Sequence, residues 1–187
     1  MGVKASVYSI LNELTANAAF LEDASFDAFI RDILAAGHIF TAAAGRSKTA
    51  VTAFTNRLMH LGLKVSMLGE ITCPHTAPGD LLIIVSGSGE TGSLVAAANK
   101  AKKSGLRVAL LTMDPESSIG RLANTVVLLP GVSPKLKGAE NGLTSIQPMG
   151  SAFEQMAFLT LDAVILELMP QLLETSDSMF ARHADLE

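Results

Sequence analysis

The sequence predicts an α/β protein: a doubly wound, five-stranded parallel sheet flanked by helices. Three observations carry this. Short apolar runs alternate with helical patterns through the middle of the chain, the order that builds a parallel sheet. The runs are apolar at every position, as in 81–85 (LLIIV), so both sheet faces must be covered. The third run breaks into a glycine-rich loop that opens a helix, the join at which such sheets bind ligands.

Taken in order, residues 3–21 read as an amphipathic helix, with Val7, Ile10, Leu11, Leu14, Ala18 and Leu21 on one face. Ser25 is the expected N-cap of a helix over 26–36, which Gly37 stops. The first strand is expected over 38–43 and the next helix over 48–61, closed by Gly62. Strands follow at 64–68 and 81–85, separated by a loop carrying Pro74, Pro78 and Gly79. A helix over 93–104 ends at Gly105, and strands are expected at 107–112 and 125–129. Residues 117–122 can form a short helix between them. The polar stretch 130–147 reads as a long loop, a feature often functional inside a compact domain. Pro148 opens the longest helix, 149–169, which Pro170 ends or kinks, and a short helical tail is expected over 174–182.

A chain of 187 residues suits one domain, 1–187, with a sizeable core. Hydrophobic residues make up 49%, charged residues only 17%, and mean hydropathy is +0.38. No apolar run has membrane-spanning length, and the first residues lack the form of a signal peptide. The apolar excess then belongs in subunit contacts, and a homo-oligomer is expected. Asp162 and Glu167 in the long helix can equally lie on an exposed face. The net charge is −4, there is one Tyr and no Trp, and no basic run occurs, so nucleic acid is not an expected partner. The single cysteine, Cys73, excludes an intrachain disulfide and a thiolate zinc cluster, and a cytoplasmic location is expected. Cys73 beside His75 is too small a ligand set for a metal; a small buried thiol is the simpler reading.

The chemistry concentrates in the loop Ser86-Gly87-Ser88-Gly89-Glu90-Thr91. Its glycines let backbone N–H groups converge, the helix start adds a partial positive charge, and three hydroxyls add donors. Such a site suits a phosphate. No lysine follows until Lys100, which excludes a P-loop. Gly87, Gly89 and Gly92 match a dinucleotide spacing, with Asp114 as its acidic residue, but the hydroxyls favour a terminal phosphate. A loop merely capped by serines is the alternative.

Around this loop, Gly45, Arg46 and Ser47 follow the first strand. Arg46 can pair with phosphate or polarise a carbonyl, or be a surface cation; Ser47 can cap its helix. Glu154, early in the long helix, is a candidate base or an ordinary first-turn glutamate. His60 closes its helix, where a histidine also suits the dipole. His183 lies in the tail, whose composition suggests that it docks.

Together these motifs resemble the sugar isomerase (SIS) domain family. Within it the 6-phospho-3-hexuloisomerase branch is the nearest in pattern. The resemblance rests on the phosphate loop, on Gly45-Arg46-Ser47, on 57–62 (RLMHLG), on 147–155 (QPMGSAFEQ) and on the ending 182–187 (RHADLE). Lys48, Ile71, Cys73 and Asp185 depart from the family pattern. The resemblance implies a flavodoxin-like sheet and interconversion of D-arabino-hex-3-ulose 6-phosphate and D-fructose 6-phosphate through a cis-enediol, in formaldehyde fixation by the ribulose monophosphate route. It also implies a homotetramer, no metal and no organic cofactor. Glu154 would be the base and His60 a proton shuttle, from a neighbouring subunit if need be. The phosphorylated ketohexose would sit on Gly45, Arg46, Ser47, Ser86, Gly87, Ser88, Gly89, Glu90 and Thr91, with His183 as a possible tail contact. An arabinose 5-phosphate isomerase and a non-catalytic sugar-phosphate sensor remain the other readings.

Overall fold

The computed structural model describes residues 2–134, 136 and 144–186. The expected loop over 130–147 therefore lies partly outside the described residues, as does Glu187 of the tail. The helices are α1 (Val3–Ala18), α2 (Asp23–Ala35), α3 (Ser47–His60), α4 (Gly92–Lys103), α5 (Ser151–Gln171) and α6 (Ser176–Phe180). The strands are β1 (Ile39–Ala43), β2 (Val65–Met67), β3 (Leu81–Val85), β4 (Arg107–Thr112) and β5 (Thr125–Leu128). They form one five-stranded parallel sheet, as the sequence predicts, in the order β2-β1-β3-β4-β5.

Period-2 alternation divides each strand between two cores. Ile39, Leu81, Ile83, Val85, Ala109 and Leu111 face Phe29, Phe54, Leu58, Phe153 and Leu161 of α2, α3 and α5. Phe40, Leu82, Ile84, Val108 and Leu110 face Leu94, Ala98 and Ala101 of α4, together with Ile119. Both faces are thus dry, which is why the central strands carry no polar alternation. The chain reverses its direction of winding between β1 and β3, its topological switch point. In a parallel sheet the loops after these two strands leave the same edge, side by side.

A half-buried ion pair ties α2 to β4, with a hydroxyl of β5 joining it. Asp32 accepts from Arg107 Nε at 2.8 Å and from the Thr125 hydroxyl at 2.6 Å.

Local chemistry moves several boundaries. Helix α2 starts at Asp23 with Glu22 as N-cap, and the Ser25 hydroxyl instead donates to the Glu22 carbonyl at 2.8 Å. Ser47 is the first residue of α3 rather than its cap, since Arg46 holds the cap position. Residues 117–122 form successive turns rather than a helix. A Cβ at Gly120 would lie 2.0 Å from the Pro115 carbonyl oxygen, so the chain doubles back too tightly for one. Helix α5 starts after Met149, whose φ of 56° is not helical. Pro170 lies inside its last turn, and the helix stops at left-handed Leu173, φ 56°. Asp162 and Glu167 do lie on the exposed face of α5. Of the apolar face expected on α1, Leu14 is buried while Val7 and Leu11 stay exposed. Among the described residues, no helix is long and apolar enough to cross a membrane.

Replacing Asp32 with Ala strands the Thr125 hydroxyl and a half-solvated guanidinium. Stability should fall by about 1–3 kcal/mol, read from urea unfolding at neutral pH.

Candidate active site

A crevice of about 630 Å³ opens beyond the carboxyl ends of β1 and β3. Its floor is the loop between β3 and α4. The Ser86 N–H stays in the sheet, donating to the Leu111 carbonyl at 3.0 Å. Gly89, at φ +60°, turns the chain, and its own N–H closes that turn on the Ser86 carbonyl. The N–H groups of Gly87, Ser88, Thr91 and Gly92 make no hydrogen bond among the described residues. Thr91 is the N-cap of α4, yet its hydroxyl caps nothing. A ring of unspent donors at a helix N-terminus is the equipment of an oxyanion site.

The walls come from two further helix starts. Gly45, Arg46 and Ser47 line the crevice ahead of α3, and Gly150, Ser151 and Glu154 line it at the start of α5. Three helix N-termini therefore point into one space, and their partial charges add. Arg46 reaches across it, its Nε donating to Glu154 Oε2 at 2.6 Å. The Arg46 side chain is 72% exposed and that of Glu154 20%, so the pair sits at the mouth with the carboxylate on the inner side.

Phe153 links the wall to the floor. A Cβ at Gly87 would lie 3.2 Å from the Phe153 ring, and a Cβ at Gly131 would lie 2.8 Å from Phe153 Cβ. A Cβ at Gly87 would also meet Met113 Cε at 2.7 Å, so glycine at both positions lets α5 pack closely on the 86–91 loop and on the segment after β5.

Two expected ligands of the crevice are turned elsewhere. Glu90 Oε1 accepts the Ser118 N–H at 2.5 Å, which holds its carboxyl below the usual range. Its side chain braces the loop and does not line the crevice. Gly89 is likewise structural: a Cβ there would lie 1.9 Å from Ser117 Oγ. Asp114 accepts the Glu116 N–H at 3.0 Å and shapes a turn.

His60 is not in this crevice within one chain. Helix α3 runs from Ser47 at the crevice to His60 at its other end, about 20 Å away. There His60 is buried beside a separate cavity of about 530 Å³, lined with it by Arg57, Asp162, Phe180 and His183. Burial pushes its pKa down, and the charges of Arg57 and His183 push it the same way. The described part of the tail docks there, with the His183 ring stacked on His60 at 5.5 Å.

The remaining candidates have local roles. His38 Nε2 meets Ser66 Oγ at 3.0 Å, and His75 Nδ1 meets the Thr76 carbonyl at 2.7 Å. Burial raises the Cys73 thiol above its usual value. No group of three metal-binding side chains occurs among the described residues. Sequence reasoning missed Met113, Ser133 and Pro134, which also line the crevice. Met113 follows β4 directly, so the rule that ligands sit at strand carboxyl ends would have found it.

Known proteins agree with this architecture. The SIS domain family profile matches residues 32–159. A 3-hexulose-6-phosphate isomerase of Bacillus subtilis (strain 168) is 48% identical over 181 residues, covering 97% of each chain. One from Mycobacterium gastri is 36% identical over 178 residues, covering 95% of this chain and 88% of its own. Among solved structures, a Methanococcus jannaschii protein whose structure infers a 3-hexulose-6-phosphate isomerase function superposes with a TM-score of 0.83. It is 29% identical, covering 98% of this chain and 99% of that one. With the matched span running from the end of α2 into α5, across the whole sheet and both crevice-lining loops, the chain belongs to the SIS domain family.

Proposed function

We propose that the protein is a phosphosugar isomerase that interconverts D-arabino-hex-3-ulose 6-phosphate and D-fructose 6-phosphate, the isomerase step of formaldehyde fixation by the ribulose monophosphate route. One observation carries the reading: a carboxylate, Glu154, shares a crevice with a loop of unspent N–H and hydroxyl donors. The likeness to the Bacillus and Mycobacterium enzymes supports the choice of substrate.

The phosphate binds the loop from Ser86 to Thr91, held by the Gly87 and Ser88 amides, the helix start and the hydroxyls. This places the carbon chain towards Glu154. Glu154 removes the proton from C2 of the 3-ketose, giving a cis-enediol, and returns it to C3. One carboxylate on one face of the enediol serves both steps. Arg46 leaves Glu154 for the substrate, where its guanidinium stabilises the enediolate oxygen. The chemistry needs no metal and no organic cofactor.

His60 shuttles protons between the two oxygens, and its place at the far end of α3 means that a neighbouring copy supplies it. The assembly is a homotetramer in the cytoplasm. Exposed apolar side chains support association: Phe158, Leu159 and Leu166 on α5, and Val3, Val7 and Leu11 on α1. A helix such as α5, with apolar side chains on its exposed face as well as its buried one, suits a covered setting.

Glu154→Gln should lower kcat by about 10²–10⁴-fold with little change in binding of fructose 6-phosphate, measured by steady-state kinetics and calorimetry. Normal turnover would place the base elsewhere. Thr91→Val removes one phosphate donor, and KM should rise about tenfold while kcat holds, the ratio equivalent to about 1.4 kcal/mol. An unchanged KM would remove Thr91 from the phosphate site.

A further inference from the structure

We propose that the C-terminal segment from Glu174 to His183 is a strap that positions the His60 ring, with Arg182 as its anchor. This rests on the reading above that His60 takes part in the reaction.

Helix α3 ends at His60, and its last carbonyls lack partners within the helix. Gly62, at φ +81°, turns the chain away, its N–H donating to the Met59 carbonyl at 2.9 Å. Arg182 fills the place beside this turn. Its Nη1 donates to the His60 carbonyl at 2.9 Å, and its guanidinium lies where a Cβ at Gly62 would come within 3.4 Å of it. A cation at a helix C-terminus also complements the dipole.

The guanidinium is held from its other side too. Nη2 donates to Glu174 Oε1 at 2.7 Å and Nη1 to Oε2 at 2.9 Å, a two-point pair in which neither group can rotate freely. Arg182 holds the Glu174 carboxyl far below its usual range, down to about 2. The same carboxylate accepts the Ser178 hydroxyl, and Thr175 with Ser178 closes a capping box on α6. Helix α6 has only five residues, with Met179 buried and Phe180 exposed. So little apolar burial does not seat the segment alone; the polar clamp is what fixes it on α3.

The clamp delivers two things to His60. It lays the His183 ring over the His60 ring at an interplanar angle of 17°, with Phe180 5.7 Å beyond. It also closes that side of the ring from water. Arg57 Nη1 lies 3.2 Å from His60 Nδ1, and since a guanidinium only donates, Nδ1 is the acceptor. The neutral ring therefore carries its proton on Nε2, ready to be donated. Tautomer and orientation are both set, one by Arg57 and the other by the strap.

The test uses the full chain, with Arg182→Met and Glu174→Gln as separate variants and their folding checked by thermal melts. Histidine ring NMR follows the titration of His60. The charged groups around it are Arg57 on α3, Asp162 on α5, and Arg182 and His183 in the tail. Releasing the strap exposes the ring and removes His183, so the His60 titration should move up towards the ordinary histidine value. Turnover of fructose 6-phosphate should fall about 10- to 100-fold in the same variants, with KM little changed. If Arg182→Met does not fold, Glu174→Gln decides. A His60 titration identical to the parent protein's in the folded variants overturns the proposal, and so does a shifted titration with full turnover. Full turnover in His60→Ala would instead overturn the catalytic reading of His60, and the titration alone would then judge the strap.

Discussion

Everything at the crevice depends on one close approach, that of Phe153 to the backbone of the loop from Ser86 to Thr91. Phe153 is fully buried, and Gly87 and Gly131 leave no Cβ against it. Because Glu154 is the next residue on a continuous helix, the packing of Phe153 sets the carboxylate's height above the loop. At Gly131 a methyl group would meet the α5 backbone at Phe153 Cα as well as Phe153 Cβ, and backbone cannot step aside as a side chain can. Geometry tighter than about 1 Å would matter for the proposed proton transfer, and here the carboxylate is placed by core packing rather than by a loop.

Electrostatics then divides the crevice into roles. The helix starts of α3, α4 and α5 bring partial positive charge to the same space, and among the described residues only Glu154 brings a negative charge to the lining. Arg46 answers that charge at 2.6 Å. On the proposed reading, a phosphosugar would offer the guanidinium a competing oxygen while occupying the loop donors. Substrate binding and release of Glu154 would then be linked through one exposed side chain.

Much of this was legible in the chain. Strands β3 and β4 fall on the residues expected of them, because a run buried on both faces has no polar positions to blur its ends. The crevice was legible because both of its loops leave strand carboxyl ends, where ligands bind in such sheets. Even the separation of His60 from Glu154 was implicit, since a helix over 48–61 puts its last residues about 20 Å from the loop that precedes it. What escaped depends on contacts distant in sequence. The turning of Glu90 onto Ser118 needs a neighbour 28 residues away. The cap at Glu22 overrides the preference for Ser25, because Ser25 spends its hydroxyl on a carbonyl within the first turn. The clamp between Glu174 and Arg182 needs a loop and a five-residue helix folded to place both beside Gly62.

The most direct measurement is proton NMR of fructose 6-phosphate incubated with the purified protein in D₂O. A base that forms an enediol between C2 and C3 exchanges the C3 proton with solvent. Deuterium should therefore appear at C3, together with signals of the hex-3-ulose 6-phosphate, and both should vanish with Glu154→Gln. Bound fructose 6-phosphate that keeps its C3 proton indefinitely would contradict the assignment of Glu154 as the base of a 2,3-enediol isomerase.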